Sequence, residues 1–557
     1  MTELKNEPND ELRNEPPAEP KSAPEDDRLT TPTAEIKAVL SPVRRAGSGG
    51  VAWVRRHAVS LAVMIPVLIV VAIVHWKGSM HYPRYVDDPG TYLSQAWAVV
   101  REQRLSPYSY FYDHPPAGWI QIGLWAALTG GFGRYATAQQ FGVECMLIAK
   151  LAATGLLYVL ARRLGLSRAA GLLAALLFGL TPLGIVYGRW TFLDNLVTPW
   201  LLAAFVCAYS PRRSIAAAVG GSASFAVAVL TKETALVFLP AYAWALVRNL
   251  DARNRSQALT VSIFTGGLIL LLYPLYALYK GELFPGEGHT SLLGTTWWQL
   301  AGRESTGSLA DAGSPMRQLF ESWLDLDAIV LLGGLAALPI AALVPKLRPP
   351  ALVLVISWLL TIRNGYVPFM HVITLLPMSA LLIAAAVEAI AGTPALVGDG
   401  PLRVRLLGTL GIRGRQWSAV VAGAALAVVL AVTWTPQIRI MTGPHPTPPL
   451  RAAMLWTVDH VPRDKVLVVH DTLWVDLVER YHYEPQPIIA HKLDGDPAVR
   501  GRLERIDYII VPNWYFRTET GEIPTLAEAV KHATPVATFG RGDDGVRVFK
   551  VAATWKP

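Results

Sequence analysis

Apolar runs long enough to cross a bilayer recur along this chain, and the short segments on alternate sides of them are basic. A spanning helix needs roughly 20 apolar residues, because no water in the hydrocarbon can satisfy its backbone. A soluble fold is excluded. Composition agrees: 52% of residues are hydrophobic, mean hydropathy is +0.33 and only 17% are charged, against roughly 25% in soluble domains. The net charge of +8 would fit a nucleic-acid binder. The arginines instead gather in short loops, such as Arg162-Arg163 and Arg212-Arg213, as the positive-inside rule requires, so no nucleic-acid partner is implied. Cys145 and Cys207 lie inside apolar runs and read as small buried residues, not as a disulfide or thiolate ligands.

Residues 1–57 are rich in Glu, Pro, Asp and Lys, which predicts a disordered cytoplasmic tail. No cleavable signal peptide is expected, because the first apolar run starts near Leu61 and follows Arg55-Arg56-His57. About eleven spans are expected over 58–437. A first outer loop, 78–138, contains Ala117–Thr129, which is apolar and helical but short. If it crossed, Arg162, Arg163 and Arg168 would lie outside, so it reads as an interfacial or re-entrant helix. A second outer loop, 280–326, carries Trp297, Trp298 and Trp323, read as interfacial anchors or as faces for a sugar. Residues 438–557 are no longer membrane-like. Lys465 to His470, Ile506 to Pro512 and Val546 to Val551 read as strands, Trp474 to Tyr481 and the segment from Thr525 as helices. The expected fold class is mainly α, a polytopic membrane protein with an interfacial outer loop and a small C-terminal α/β domain, placed outside by the odd number of spans.

Under this threading the groups able to do chemistry share the outer face: Asp87, Asp88, Asp113, His114, Arg189, Asp194, Lys232, Glu233 and Arg363. Asp87-Asp88 follow the first span and precede an apolar-aromatic helix; one is a helix cap or a general base. Asp194 opens a span, where a carboxylate is costly unless paired, metal-bound or functional. Lys232, paired with Glu233 or holding a phosphate, and Arg363 supply positive charge. No Gly-rich phosphate loop and no internal repeat is visible.

This ordering resembles the GT-C membrane glycosyltransferases, specifically the family 39 branch of protein O-mannosyltransferases and aminoarabinose-to-lipid-A transferases. The matching features are Asp88 to Tyr92 (Asp-x-x-x-Tyr), His114-Pro115-Pro116, Arg189 with Asp194, and Lys232-Glu233. The branch usually has Asp-Glu in the first motif, whereas here Pro89 follows Asp88 and Asp87 precedes it. His114 stands where the lipid-A branch usually has lysine. The resemblance implies a sugar donor on polyprenyl phosphate and an acceptor that is protein, cell-wall glycan or lipid. Transfer would invert the anomeric carbon on the outer face of a bacterial inner membrane. It assigns the general base to Asp88 or Asp87 and donor contacts to His114, Arg189, Lys232, Glu233 and Arg363. A divalent metal on Asp194, with Asp87 or Asp88, is a further option. The rival class is a secondary transporter or lipid flippase, which would place charges at the bilayer midplane and show internal symmetry.

Overall fold

The computed structural model describes residues 55, 57–390, 412–518 and 523–555. The expected disordered tail, 1–57, lies almost wholly outside them. Among the described residues, six helices are long and apolar enough to span a bilayer: His57–Trp76, Ala138–Leu164, Arg255–Tyr279, Pro315–Leu343, Phe369–Ile390 and Gly423–Thr442. The expected span at 169–187 is a broken pair, Arg168–Leu180 and Pro182–Gly188, bent by 52°. Pro182 forces the break, because it lacks an N–H and pushes Thr181 out of helical geometry. Leu193–Ala208, Ile215–Thr231 and Arg348–Ile362 are shorter apolar helices. Another expected span begins as a 3-10 turn, Glu233–Phe238, before Leu239–Asn249. Full-length spans are therefore fewer than the about eleven apolar runs suggested; the helices are those of a multi-pass membrane protein.

The segment expected as the first outer loop holds the helices Pro89–Arg101 and Ala117–Thr129 and a single turn, Gly131–Arg134. The second has 13 residues, too few to span. It starts after Pro115-Pro116 and stops at Gly130, whose φ of 68° suits a residue without a Cβ. Trp119 and Ile122 face the protein, while Leu124 and Leu128 stay exposed. Trp323 departs from expectation. It lies in the helix Pro315–Leu343, fully buried, and donates to the Tyr187 hydroxyl at 2.9 Å. It neither anchors an interface nor faces a sugar. Trp297 and Trp298 are exposed.

The C-terminal segment builds a sheet from β1 (Val466–Val469), β2 (Ile488–Ile489), β3 (Ile506–Pro512), β4 (Ala533–Phe539) and β5 (Val546–Val551), ordered β2-β1-β3-β5-β4. β1 is parallel to β2 and β3, and β5 is antiparallel to β3 and β4. The strands read from sequence are β1, β3 and β5. β2 is too short to show a pattern, and β4 is an exposed edge strand. The expected helix at Trp474 begins earlier, as Asp471–Val475 leading into a π-helical turn, Asp476–Arg480.

This domain is docked on the first outer loop. The Trp97 indole N–H donates to Glu479 at 2.7 Å, and the Tyr108 hydroxyl to the Pro487 carbonyl at 2.5 Å. The Ala138 N–H donates to Asp476 at 2.8 Å, and Trp97 meets the edge of Trp474. Long-range contacts thus fuse the loop and the sheet; residues 62–557 form one unit.

Candidate active site

Asp88 occupies the cap position of Pro89–Arg101, but its side chain makes no capping hydrogen bond. Its backbone sits at φ 78°, ψ −48°, a conformation non-glycine residues seldom adopt. The carboxylate faces a cavity instead of the helix. Burial raises its pKa to about 6; Asp87 and Asp471 push the same way, while His114 and Lys232 oppose them. Asp87, one residue away, turns from the cavity. Its Oδ1 accepts from the Tyr515 hydroxyl at 2.9 Å and lies 3.1 Å from His470 Nε2.

Two further pairs stand across the cavity. His114 Nδ1 lies 2.9 Å from Glu233 Oε2. Burial works against the imidazolium, but the Glu233 carboxylate outweighs it and the His114 pKa is raised. Lys232 Nζ donates to Asp194 Oδ2 at 2.7 Å, both side chains almost fully buried. Local structure explains the pairing. Asp194 lies in the first turn of Leu193–Ala208, and Lys232 caps the C-terminus of Ile215–Thr231. Each charge meets the helix end that stabilises it, and adjacent antiparallel helices bring the ends together.

The cavity measures about 920 Å³. It is lined by Asp88, Asp113, His114, Asp194, Lys232, Glu233 and Arg363 from the sequence-predicted set, and by Tyr92, Arg303, Tyr366, His371 and Lys492. Apolar walls come from Leu236, Val237, Phe238, Leu292 and Leu300. Arg303 stacks on Tyr366, 3.7 Å from the ring centre, and Lys492 lies 4.4 Å from the Phe111 ring. Among the described residues, Arg303, Arg363 and Lys492 have no carboxylate ion pair, whereas Lys232 is held by Asp194. Sequence reading missed Arg303 and Lys492. Arg303 lies in an irregular loop without periodicity, and Lys492 comes from the C-terminal domain.

Arg189 is not in the cavity. Its guanidinium donates to five backbone carbonyls: His75, Val74, Lys77, Tyr82 and Met441. Every N–H of the group is used. The expected donor-phosphate contact is therefore replaced by a structural one, satisfying orphan carbonyls at the ends of two helices. Nor does Asp194 offer a vacant ligand position: the Lys232 ammonium stands where a cation would. Among the described residues, Asp87, His470 and Asp471 have metal-ligand spacing, their ligand atoms within 4.8 Å. His470 lies between the two carboxylates, with Nε2 3.1 Å from Asp87 and Nδ1 3.0 Å from Asp471. Burial depresses its pKa, but the two carboxylates outweigh that and raise it to about 10.

Solved structures share this fold, a helical bundle with a charged cavity and a small terminal sheet. ArnT from Cupriavidus metallidurans bound to undecaprenyl phosphate aligns at TM-score 0.52 and 17% identity, over 88% of this chain and 98% of that one. The oligosaccharyltransferase of Archaeoglobus fulgidus tethered to an acceptor peptide aligns at TM-score 0.52 and 13% identity, over 88% of this chain and 74% of that one. A comparison with curated protein sequences gave no match. Residues 113–276 match the family model described as dolichyl-phosphate-mannose-protein mannosyltransferase, a stretch that carries His114, Asp194, Lys232 and Glu233. Over that stretch the chain is similar to this glycosyltransferase family, and its fold is shared with ArnT and the archaeal oligosaccharyltransferase.

Proposed function

We propose that the protein transfers a sugar from a polyprenyl-phosphate carrier to an acceptor hydroxyl, inverting the anomeric carbon, with Asp88 as general base. The supporting observation is the single cavity in which the Asp88 carboxylate and unpaired cations from distant segments share apolar walls. The apolar side suits a prenyl chain, and the charged side suits a phosphate-sugar head. ArnT was solved with undecaprenyl phosphate, and the archaeal enzyme with dolichol-phosphate and an inhibitory peptide; both ligands belong to this chemical class. In this scheme the acceptor oxygen attacks the anomeric carbon while its proton passes to Asp88. The bond from that carbon to the phosphate oxygen breaks, and its electron pair leaves with the phosphate. No general acid is required. Arg303, Arg363 and Lys492 stabilise the departing charge, a role the paired Lys232 fills less directly. His114 and Glu233 line the donor head group.

The archaeal relative was also solved with zinc and sulfate. At Asp194 the residues do not fit a metal, because Lys232 already supplies the positive charge. At Asp87, His470 and Asp471 the imidazole nitrogens lie 3.1 Å from Asp87 and 3.0 Å from Asp471, and Nδ1 also accepts from the Thr472 N–H at 3.3 Å. The basic short loops support an outward-facing cavity and C-terminal domain, and with them a reaction on the outer surface of a bacterial inner membrane. The test is transfer by purified protein from defined polyprenyl-phosphate sugars, comparing Asp88→Asn, Asp87→Asn and Asp194→Asn. Asp88→Asn abolishes turnover without unfolding; full activity in that variant removes the base.

A further inference from the structure

The turn that carries Asp88 is gripped from the C-terminal domain on both flanks. Upstream, the Tyr515 hydroxyl donates to Asp87 Oδ1 at 2.9 Å, and His470 Nε2 lies 3.1 Å from the same oxygen. Downstream, Asp471 Oδ2 accepts from the Thr91 N–H at 2.9 Å and from the Thr91 hydroxyl at 3.1 Å. The other Asp471 oxygen lies 3.0 Å from His470 Nδ1, so one imidazole ties the two grips together. Between them, Gly90 rests directly on the chain: a Cβ there would fall on backbone atoms of Asp471 and Thr472. His470 and Asp471 are wholly buried.

The local sequence does not hold this turn. Asp88 gives the helix no side-chain cap, and Pro89 has no N–H to offer. Yet Asp88 keeps a positive φ, a state that persists where the surroundings impose it. The surroundings here lie some 380 residues further along the chain. Resting on the reading of Asp88 as base, we infer that Asp471, His470 and Tyr515 are positioning residues: the C-terminal domain clamps the Asp87–Thr91 turn and thereby aims the Asp88 carboxylate into the cavity. None of the three lines the cavity; they act through Asp88. The domain then serves the reaction itself, and is not an appendage that only selects acceptors.

The experiment compares full-length Asp471→Ala, Asp471→Asn and Tyr515→Phe with Asp88→Asn, measuring kcat, donor KM and thermal unfolding. A base displaced by about 1 Å loses on the order of 10²-fold in rate. Asp471→Ala is expected to lose that much in kcat with donor KM unchanged within about twofold. Asp471→Asn, whose amide oxygen still accepts from Thr91, recovers most of it. Tyr515→Phe removes one hydroxyl only, and lowers kcat at unchanged melting temperature; it decides the matter if Asp471→Ala fails to fold. Lys531→Ala, exposed on the same domain, leaves kcat as it is. Wild-type kcat in folded Asp471→Ala and Tyr515→Phe, beside an inactive Asp88→Asn, overturns the clamp. Turnover by Asp88→Asn instead overturns the base. Loss of wild-type activity on chelation, regained with zinc alone and absent from Asp471→Ala, makes the cluster a metal centre and overturns the charge clamp.

Discussion

Replacing Asp88 by Asn should make the protein more stable while stopping it working. The carboxylate is displaced from 3.8 to about 6 by burial first of all. Two units at ~1.36 kcal/mol each would cost the folded state up to ~3 kcal/mol above pH 6. The carboxylate keeps one side open to the cavity, which brings the figure to ~1–3 kcal/mol. Asparagine removes the charge at nearly constant shape and tolerates the same positive φ, so the backbone is left in place. The sign follows from linkage: a folded pKa above the unfolded one costs stability where the group is ionised, and lowering the pH relieves that cost. Asp88→Asn should therefore melt higher than the wild type at pH 8. The gap should shrink as pH falls through about 6 and close near 4. Turnover should fall by at least ~10³-fold, as for loss of a general base. Wild-type kcat should decline as pH drops below about 6, where the base is protonated. Thermal unfolding in detergent across pH, with transfer from a polyprenyl-phosphate sugar, measures all three. A variant that melts lower at pH 8, or a gap indifferent to pH, refutes the electrostatic account.

Arg189→Met should lower stability by at least ~3 kcal/mol, since it strands five backbone carbonyls; donor KM in whatever folds should be unchanged. Lys232→Met leaves Asp194 buried and uncompensated, at ~3–5 kcal/mol, and the double variant Lys232→Met/Asp194→Asn should regain most of the melting temperature. Normal stability of Lys232→Met alone would refute the pairing. Arg303→Ala should raise donor KM and lower kcat by roughly tenfold or more, with no change in melting; unaltered kinetics would remove it from the phosphate site.

Membrane residence, the short helix Ala117–Thr129 and the strands β1, β3 and β5 were legible because each depends on a periodicity or a length that the local sequence carries. The convergence of Asp88, His114, Asp194 and Lys232 was legible too, since all stand at ends of recognisable helices. Three things lay beyond reach. Asp87 and Asp88 are adjacent and chemically equivalent on paper; a positive φ imposed by Asp471 and Tyr515 sends one into the cavity and the other into the C-terminal domain. Arg189 was given a donor contact by the resemblance alone, and only the five carbonyls it meets in the fold make it structural. Lys492 reaches the cavity from a domain docked by contacts that span most of the chain. Patterning decides which segments enter the membrane, because burial of apolar surface is additive along the chain. The aim of a charged side chain depends on partners hundreds of residues away, and that information exists only once the chain has folded.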